Sequence, residues 1–76
     1  MTTRAFVLIE TSVGKTNDVA AALKLVGEVS SVDAVTGPYD IIVVVEAPDL
    51  STVGEVVTGR IHVVPGIVRT VTCLSV

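Results

Sequence analysis

The sequence predicts an α+β sandwich: one four-stranded antiparallel sheet with two helices packed on a single face. Three observations carry that expectation. The chain reads strand–helix–strand twice over. The halves also correspond, Ile9-Glu10-Thr11 matching Val45-Glu46-Ala47 at an offset of 36, and Val26, Val29 and Val32 matching Ile61, Val64 and Ile67 at an offset of 35. Between the halves stands the sharpest turn signal in the chain, Thr36-Gly37-Pro38-Tyr39-Asp40. There Gly supplies unusual backbone angles, Pro fixes its own φ, and Asp can bond local N–H groups.

Taken in order, Arg4 to Glu10 reads as a strand whose apolar residues run on without alternating, the pattern of a strand covered on both faces. Thr11 to Lys15 is a loop. A helix is expected at about 16–28, with Thr16 or Asn17 as its cap and Asp18 near the positive end of its dipole. Val19, Ala22, Leu23 and Val26 make its apolar face. Val32 to Thr36 reads as a shorter, more polar edge strand. After the turn, Ile41 to Ala47 opens with five consecutive β-branched residues and reads as a central strand.

Pro48 closes that strand and Asp49 is the expected cap of a second helix. Val53, Val56, Val57, Ile61 and Val64 form its apolar face. Gly54 and Gly59 weaken this helix, and the expected reason for them is a close helix–sheet or subunit contact. Pro65-Gly66 ends it, and Ile67 to Val76 is the last strand. Two βαβ units with right-handed crossovers give a split, ferredoxin-like βαββαβ sheet of order 4-1-3-2, with the two most apolar strands in the middle.

Seventy-six residues make one small domain, 1–76. A core this small rarely supplies more than about 3–5 kcal/mol without disulfides, a metal or oligomerisation. Cys73 is the one cysteine and His62 the one histidine, so neither an intrachain disulfide nor a zinc site of ordinary spacing can form. Oligomerisation remains. Half the residues are apolar and only 17% are charged, a large surplus for a chain with so much surface. No apolar run approaches the roughly 18 residues of a membrane span. The net charge of −3 argues against a nucleic-acid surface. A free thiol without a secretory or transit segment points to the cytoplasm.

Two helices cover only one face of a four-stranded sheet. Phe6 and Leu8 point opposite to Ala5, Val7 and Ile9, and Ile42 and Val44 opposite to Ile41, Val43 and Val45. One set is left as an apolar patch larger than monomers usually tolerate. Burying about 500 Å2 of it per subunit, at roughly 25 cal/mol per Å2, is worth on the order of 12 kcal/mol before association entropy. The expectation is a dimer through the sheets.

Catalytic signals are thin. His62 is expected in the last turn of the second helix, on the surface. Cys73 is expected to be a buried structural thiol. Glu10 and Glu46 end equivalent strands and could approach each other, and otherwise mark where the sheet meets water. Gly14-Lys15-Thr16 lacks the upstream Gly of a phosphate loop. No metal, cofactor or catalytic residue is expected. The turn offers more: Gly37 admits a close approach to the backbone, Tyr39 an amphipathic ring, and Asp40 an anion for an ammonium group. Thr70 and Thr72, on one face of the last strand, can add hydroxyls.

The stretches Val35-Thr36-Gly37-Pro38-Tyr39-Asp40-Ile41-Ile42 and Val64-Pro65-Gly66-Ile67-Val68-Arg69-Thr70-Val71-Thr72 resemble the effector-binding domain of Lrp/AsnC feast/famine regulators, also called the RAM domain. The resemblance runs over essentially the whole chain. It implies a ferredoxin-like unit that dimerises through its sheets, dimers that assemble into octameric or similar rings, and a small amino-acid effector held between dimers near the glycine-containing turn. It places Gly37, Tyr39 and Asp40 in that site, with Thr70 and Thr72 beside them. Such regulators usually carry an N-terminal helix-turn-helix; here the first strand begins within a few residues of Met1, so the expectation is a stand-alone module that does not itself bind DNA and can co-assemble with full-length regulators. Pro38 departs from the polar residue common at its position and removes one N–H from the turn. The alternatives are a small dimeric α+β barrel enzyme, with a cavity between sheets lined by His62, Cys73 or the glutamates, and a purely structural oligomer.

Overall fold

A computed structural model describes residues 2–76. Its elements run β1 (Thr3–Thr11), α1 (Thr16–Leu23), β2 (Val29–Ala34), β3 (Ile41–Ala47), α2 (Leu50–Val56) and β4 (Ile67–Leu74), with Val57–Ile61 prolonging α2 as a π-helical turn. All strand pairs are antiparallel, in the order β2-β3-β1-β4. This is the expected ferredoxin-like order seen from the other edge, with β1 and β3 central.

The helix-covered face is the core. Ala5, Val7 and Ile9 of β1 and Ile41, Val43 and Val45 of β3 are all fully buried, against Val19 and Leu23 of α1 and Val53, Val56 and Ile61 of the second helical segment.

α1 ends five residues before the expected 28. The chain tightens after Leu23 into i→i+3 bonds, Leu25 N–H to the Ala22 carbonyl and Val26 N–H to the Leu23 carbonyl, each at 3.1 Å. That tightening turns Leu25 out to 84% exposure yet keeps Val26 in the core. β2 therefore starts at Val29 and stops at Ala34, which leaves Val35 and Thr36 to the turn. The expected cap is also displaced: Lys15 holds the cap position with no side-chain bond and Thr16 is the first helical residue, its hydroxyl paired with that of Thr11 at 2.7 Å.

Asp49 does cap α2, accepting from the Thr52 N–H and hydroxyl, both at 2.8 Å. Those bonds favour the carboxylate and hold Asp49 below its ordinary range. Its contribution is present at neutral pH and is lost as pH falls through that lowered pKa. The wide π turn, closed by the His62 N–H on the Val57 carbonyl at 2.9 Å, buries both Val57 and Ile61.

Gly54 and Gly59 do not serve helix–sheet packing. A Cβ built on either meets no atom within 4 Å. Gly54→Ala is therefore expected to stabilise the fold by about 0.5–1 kcal/mol through helix propensity, read as a raised urea midpoint with an unchanged slope.

The other sheet face is free of helices. Phe6, Leu8, Ile42 and Val44 point to it and are half-buried, and β4 adds Val71 opposite Leu8 and Cys73 opposite Phe6. Cys73 is thus exposed in the protomer rather than buried, since the face it occupies has no helix over it. The apolar rows end in charge: Arg4 pairs in register with Glu46 at one end, Glu10 with Arg69 at the other. The antiparallel pairing also separates Glu10 from Glu46. Glu10 lies six positions along β1 from Arg4, on the order of 20 Å at 3.4 Å per residue, so the two glutamates do not meet.

Candidate functional site

The turn between β2 and β3 is closed by the Val35 N–H on the Asp40 carbonyl at 2.9 Å. Gly37 sits in it at φ +143°, and a Cβ built there would meet open space. The turn is then pinned to β1. Asp40 donates its N–H to the Ile9 carbonyl at 2.9 Å, and its Oδ2 accepts from the Thr11 N–H at 2.8 Å and from the Thr11 hydroxyl at 3.3 Å. One carboxylate oxygen is therefore committed to holding two strands together.

With Asp40 fixed, Tyr39 reaches across β1 to β4. The Arg69 guanidinium lies 5.8 Å from the centre of its ring, and Arg69 Nη2 donates to the Tyr39 hydroxyl at 3.3 Å. Arg69 stands directly opposite Glu10. The Tyr39 ring and the Arg69 guanidinium thus meet at one end of the sheet, with Glu10 across from Arg69 on the neighbouring strand and the Asp40 carboxylate held on Thr11 beside the start of α1.

Thr70 and Thr72 follow the alternation of β4 to the helix-facing side, opposite Ile9 and Val7. Thr70 shares the end of the sheet with the turn, and its hydroxyl is hydrogen-bonded to His62 Nε2 beside an open cleft of about 370 Å3. Thr72 lies farther along and lines a groove of about 380 Å3 with Leu50, Val53, Gly54 and Val57. Gly37, Tyr39 and Asp40 are brought together in the turn; the two threonines lie on the helix-facing side of β4.

Arg69 and Glu10 are the charged groups that the sequence reading did not place at this end. The signal was present in the pairing of the first strand with the last, since Glu10 and Arg69 both close the apolar rows of the bare face. Among the described residues, no cluster of three His, Cys, Asp or Glu side chains could hold a metal ion, and no helix is long and apolar enough to cross a membrane.

Comparison with known proteins adds the lineage. The model of the Lrp/AsnC ligand binding domain matches residues 4–76. A solved structure from Thermus thermophilus is 34% identical and superposes with a TM-score of 0.93, the match covering 97% of this chain and 92% of that one. E. coli AsnC is 21% identical with a TM-score of 0.92, over 97% of this chain and 50% of its own. A feast or famine regulatory protein from M. tuberculosis, complexed with L-methionine, is 23% identical with a TM-score of 0.82, over 97% and 50%. At those lower identities the likeness is one of fold. No curated protein sequence matches. The family model spans all four strands and both helices, and it takes in the turn that pins β3 to β1; this chain belongs to the Lrp/AsnC ligand-binding domain family.

Proposed function

We propose that the chain is a non-enzymatic, cytoplasmic effector-binding module. It dimerises through the bare faces of its sheets, the dimers assemble into an octamer or a similar ring, and a small amino acid binds between dimers at the Gly37–Asp40 end. Co-assembly with full-length Lrp/AsnC regulators would give the bound effector a route to transcription. The observation that carries this reading is the open polar end built by Gly37, Tyr39 and Asp40 next to an uncovered apolar face. Thr70 and Thr72 can contribute only from the helix-facing side of β4. The L-methionine complex of the M. tuberculosis neighbour supports an amino acid as the effector class.

Thermal-shift screening of the twenty amino acids tests it. A ligand at 100 times its Kd adds about 2.7 kcal/mol of stability, and a melting point unmoved by all twenty rejects the effector half of the proposal. Asp40→Ala is expected to abolish any shift, but it also removes the Thr11 anchor. Asp40→Asn keeps an acceptor for Thr11 and removes only the charge. If Asp40→Asn melts like the wild type yet responds to no amino acid, the anion itself is what the ligand meets; an undiminished shift puts the site elsewhere.

A further inference from the structure

We infer that Glu10 and Arg69 read the two charges of an α-amino acid, Arg69 taking the carboxylate and Glu10 the ammonium, with Tyr39 as the wall between ligand and turn. This rests on the amino-acid reading above and assigns the polar contacts within it. The starting point is Asp40. Its Oδ2 already accepts two bonds from Thr11, so much of its acceptor capacity is structural and a second anion is needed to meet an ammonium squarely. Glu10 is the carboxylate directly across from Arg69 on the neighbouring strand, half-buried, and Arg69 is the residue that Tyr39 meets.

Spacing and donor geometry fit one small zwitterion. Side chains directly opposite across an antiparallel pair have Cβ atoms about 4.5–5.5 Å apart. A ligand whose ammonium and carboxylate hang from a single carbon can touch both heads at that spacing. Arg69 gives one donor to the Tyr39 hydroxyl through a bond of 3.3 Å, and the rest of its planar fork can grip a carboxylate in two-point fashion. The Tyr39 ring beneath the guanidinium orients that fork. Both charges stand where the apolar rows of the bare face end, so a second copy covering that face removes water beside them and strengthens each contact.

The test is titration calorimetry on the whole chain with every amino acid that binds in the screen, its amide (no carboxylate) and its N-acetyl derivative (no ammonium). The wild type is expected to bind each derivative about 10- to 100-fold more weakly than the free amino acid, the range for a lost charge-assisted hydrogen bond. Arg69→Gln is expected to weaken the free amino acid to the level of the amide without weakening the amide further. Glu10→Gln is expected to do the same with respect to the N-acetyl derivative. If an amino acid binds and both variants, folded and associated like the wild type, bind it with unchanged Kd, the assignment is overturned while the effector reading stands. Should either variant fail to fold, wild-type affinity for the amide and N-acetyl forms equal to that for the free amino acid overturns it alone. If none of the twenty binds, the effector reading falls and takes the assignment with it.

Discussion

Leu8→Asp is expected to leave the protein a monomer at micromolar concentration, where the proposed pairing of the bare sheet faces makes a dimer. Leu8 lies at the centre of the helix-free face, between Ile42 on β3 and Val71 on β4. In the protomer it is only half-buried, so an aspartate there stays hydrated and the monomer keeps its core. In the dimer the same aspartate would be pressed against the apolar rows of a second copy without a partner. An unpaired buried charge is worth several kcal/mol of penalty even after relaxation. With two such sites per dimer, association is expected to weaken by more than about a thousandfold, at 1.4 kcal/mol per factor of ten. Sedimentation velocity across a concentration series reads this directly. Val7→Asp is the control, because Val7 is fully buried under the helices and a charge there is expected to unfold the chain rather than release a folded monomer. A wild type that sediments as a folded monomer, or a Leu8→Asp variant that remains dimeric, would show that the sheets do not pair.

The second large effect is expected at Gly66, where Ala should cost about 2–5 kcal/mol. Gly66 has φ +101°. A Cβ added there would lie 2.9 Å from Lys15 Cβ and 3.0 Å from Val19 Cγ2. Lys15 Cβ belongs to the stem of its side chain, close to the backbone, and Val19 is fully buried, so neither atom can retreat cheaply. The Gly66 carbonyl also accepts from the Ser12 N–H at 2.8 Å, which fixes the backbone against rotation. The left-handed conformation costs roughly 1–2 kcal/mol for a residue with Cβ, and overpacking roughly 1–3 kcal/mol more. Against a monomer core of about 3–5 kcal/mol, that loss leaves folding dependent on association. Urea unfolding at two protein concentrations measures it. Gly37→Ala isolates the steric part: Gly37 has φ +143° but open space around its Cβ position, so it is expected to lose less than Gly66→Ala. Equal losses at the two glycines would mean that the contacts with Lys15 and Val19 relax freely.

Local signals hold where the physics is local. Asp49 caps its helix because the bonds reach only three residues ahead, and Ile41 to Ala47 is a strand because its own side chains demand it. The displaced boundaries share one cause. α1 stops at Leu23 because the chain tightens there into i→i+3 bonds and turns to enter β2 at Val29, a path set by where the sheet lies. Thr16 lies one position inside the helix instead of capping it, and its hydroxyl meets that of Thr11 from the end of β1. The exposure of Cys73 has the same origin: in a strand of apolar neighbours, sequence does not say which face the helices choose.

From residue order alone came the ferredoxin-like class, the two central strands, the division of each strand into two faces, and the turn at Gly37–Asp40 as the place to look. Period-two alternation and turn chemistry are properties of neighbours in the chain, and so they are legible there. The fold alone decided that Asp40 is bound to Thr11, 29 positions away, and that Tyr39 lies under Arg69, 30 positions away. Those contacts depend on strand register across the sheet, which the summed packing of the core sets and no short stretch of sequence contains.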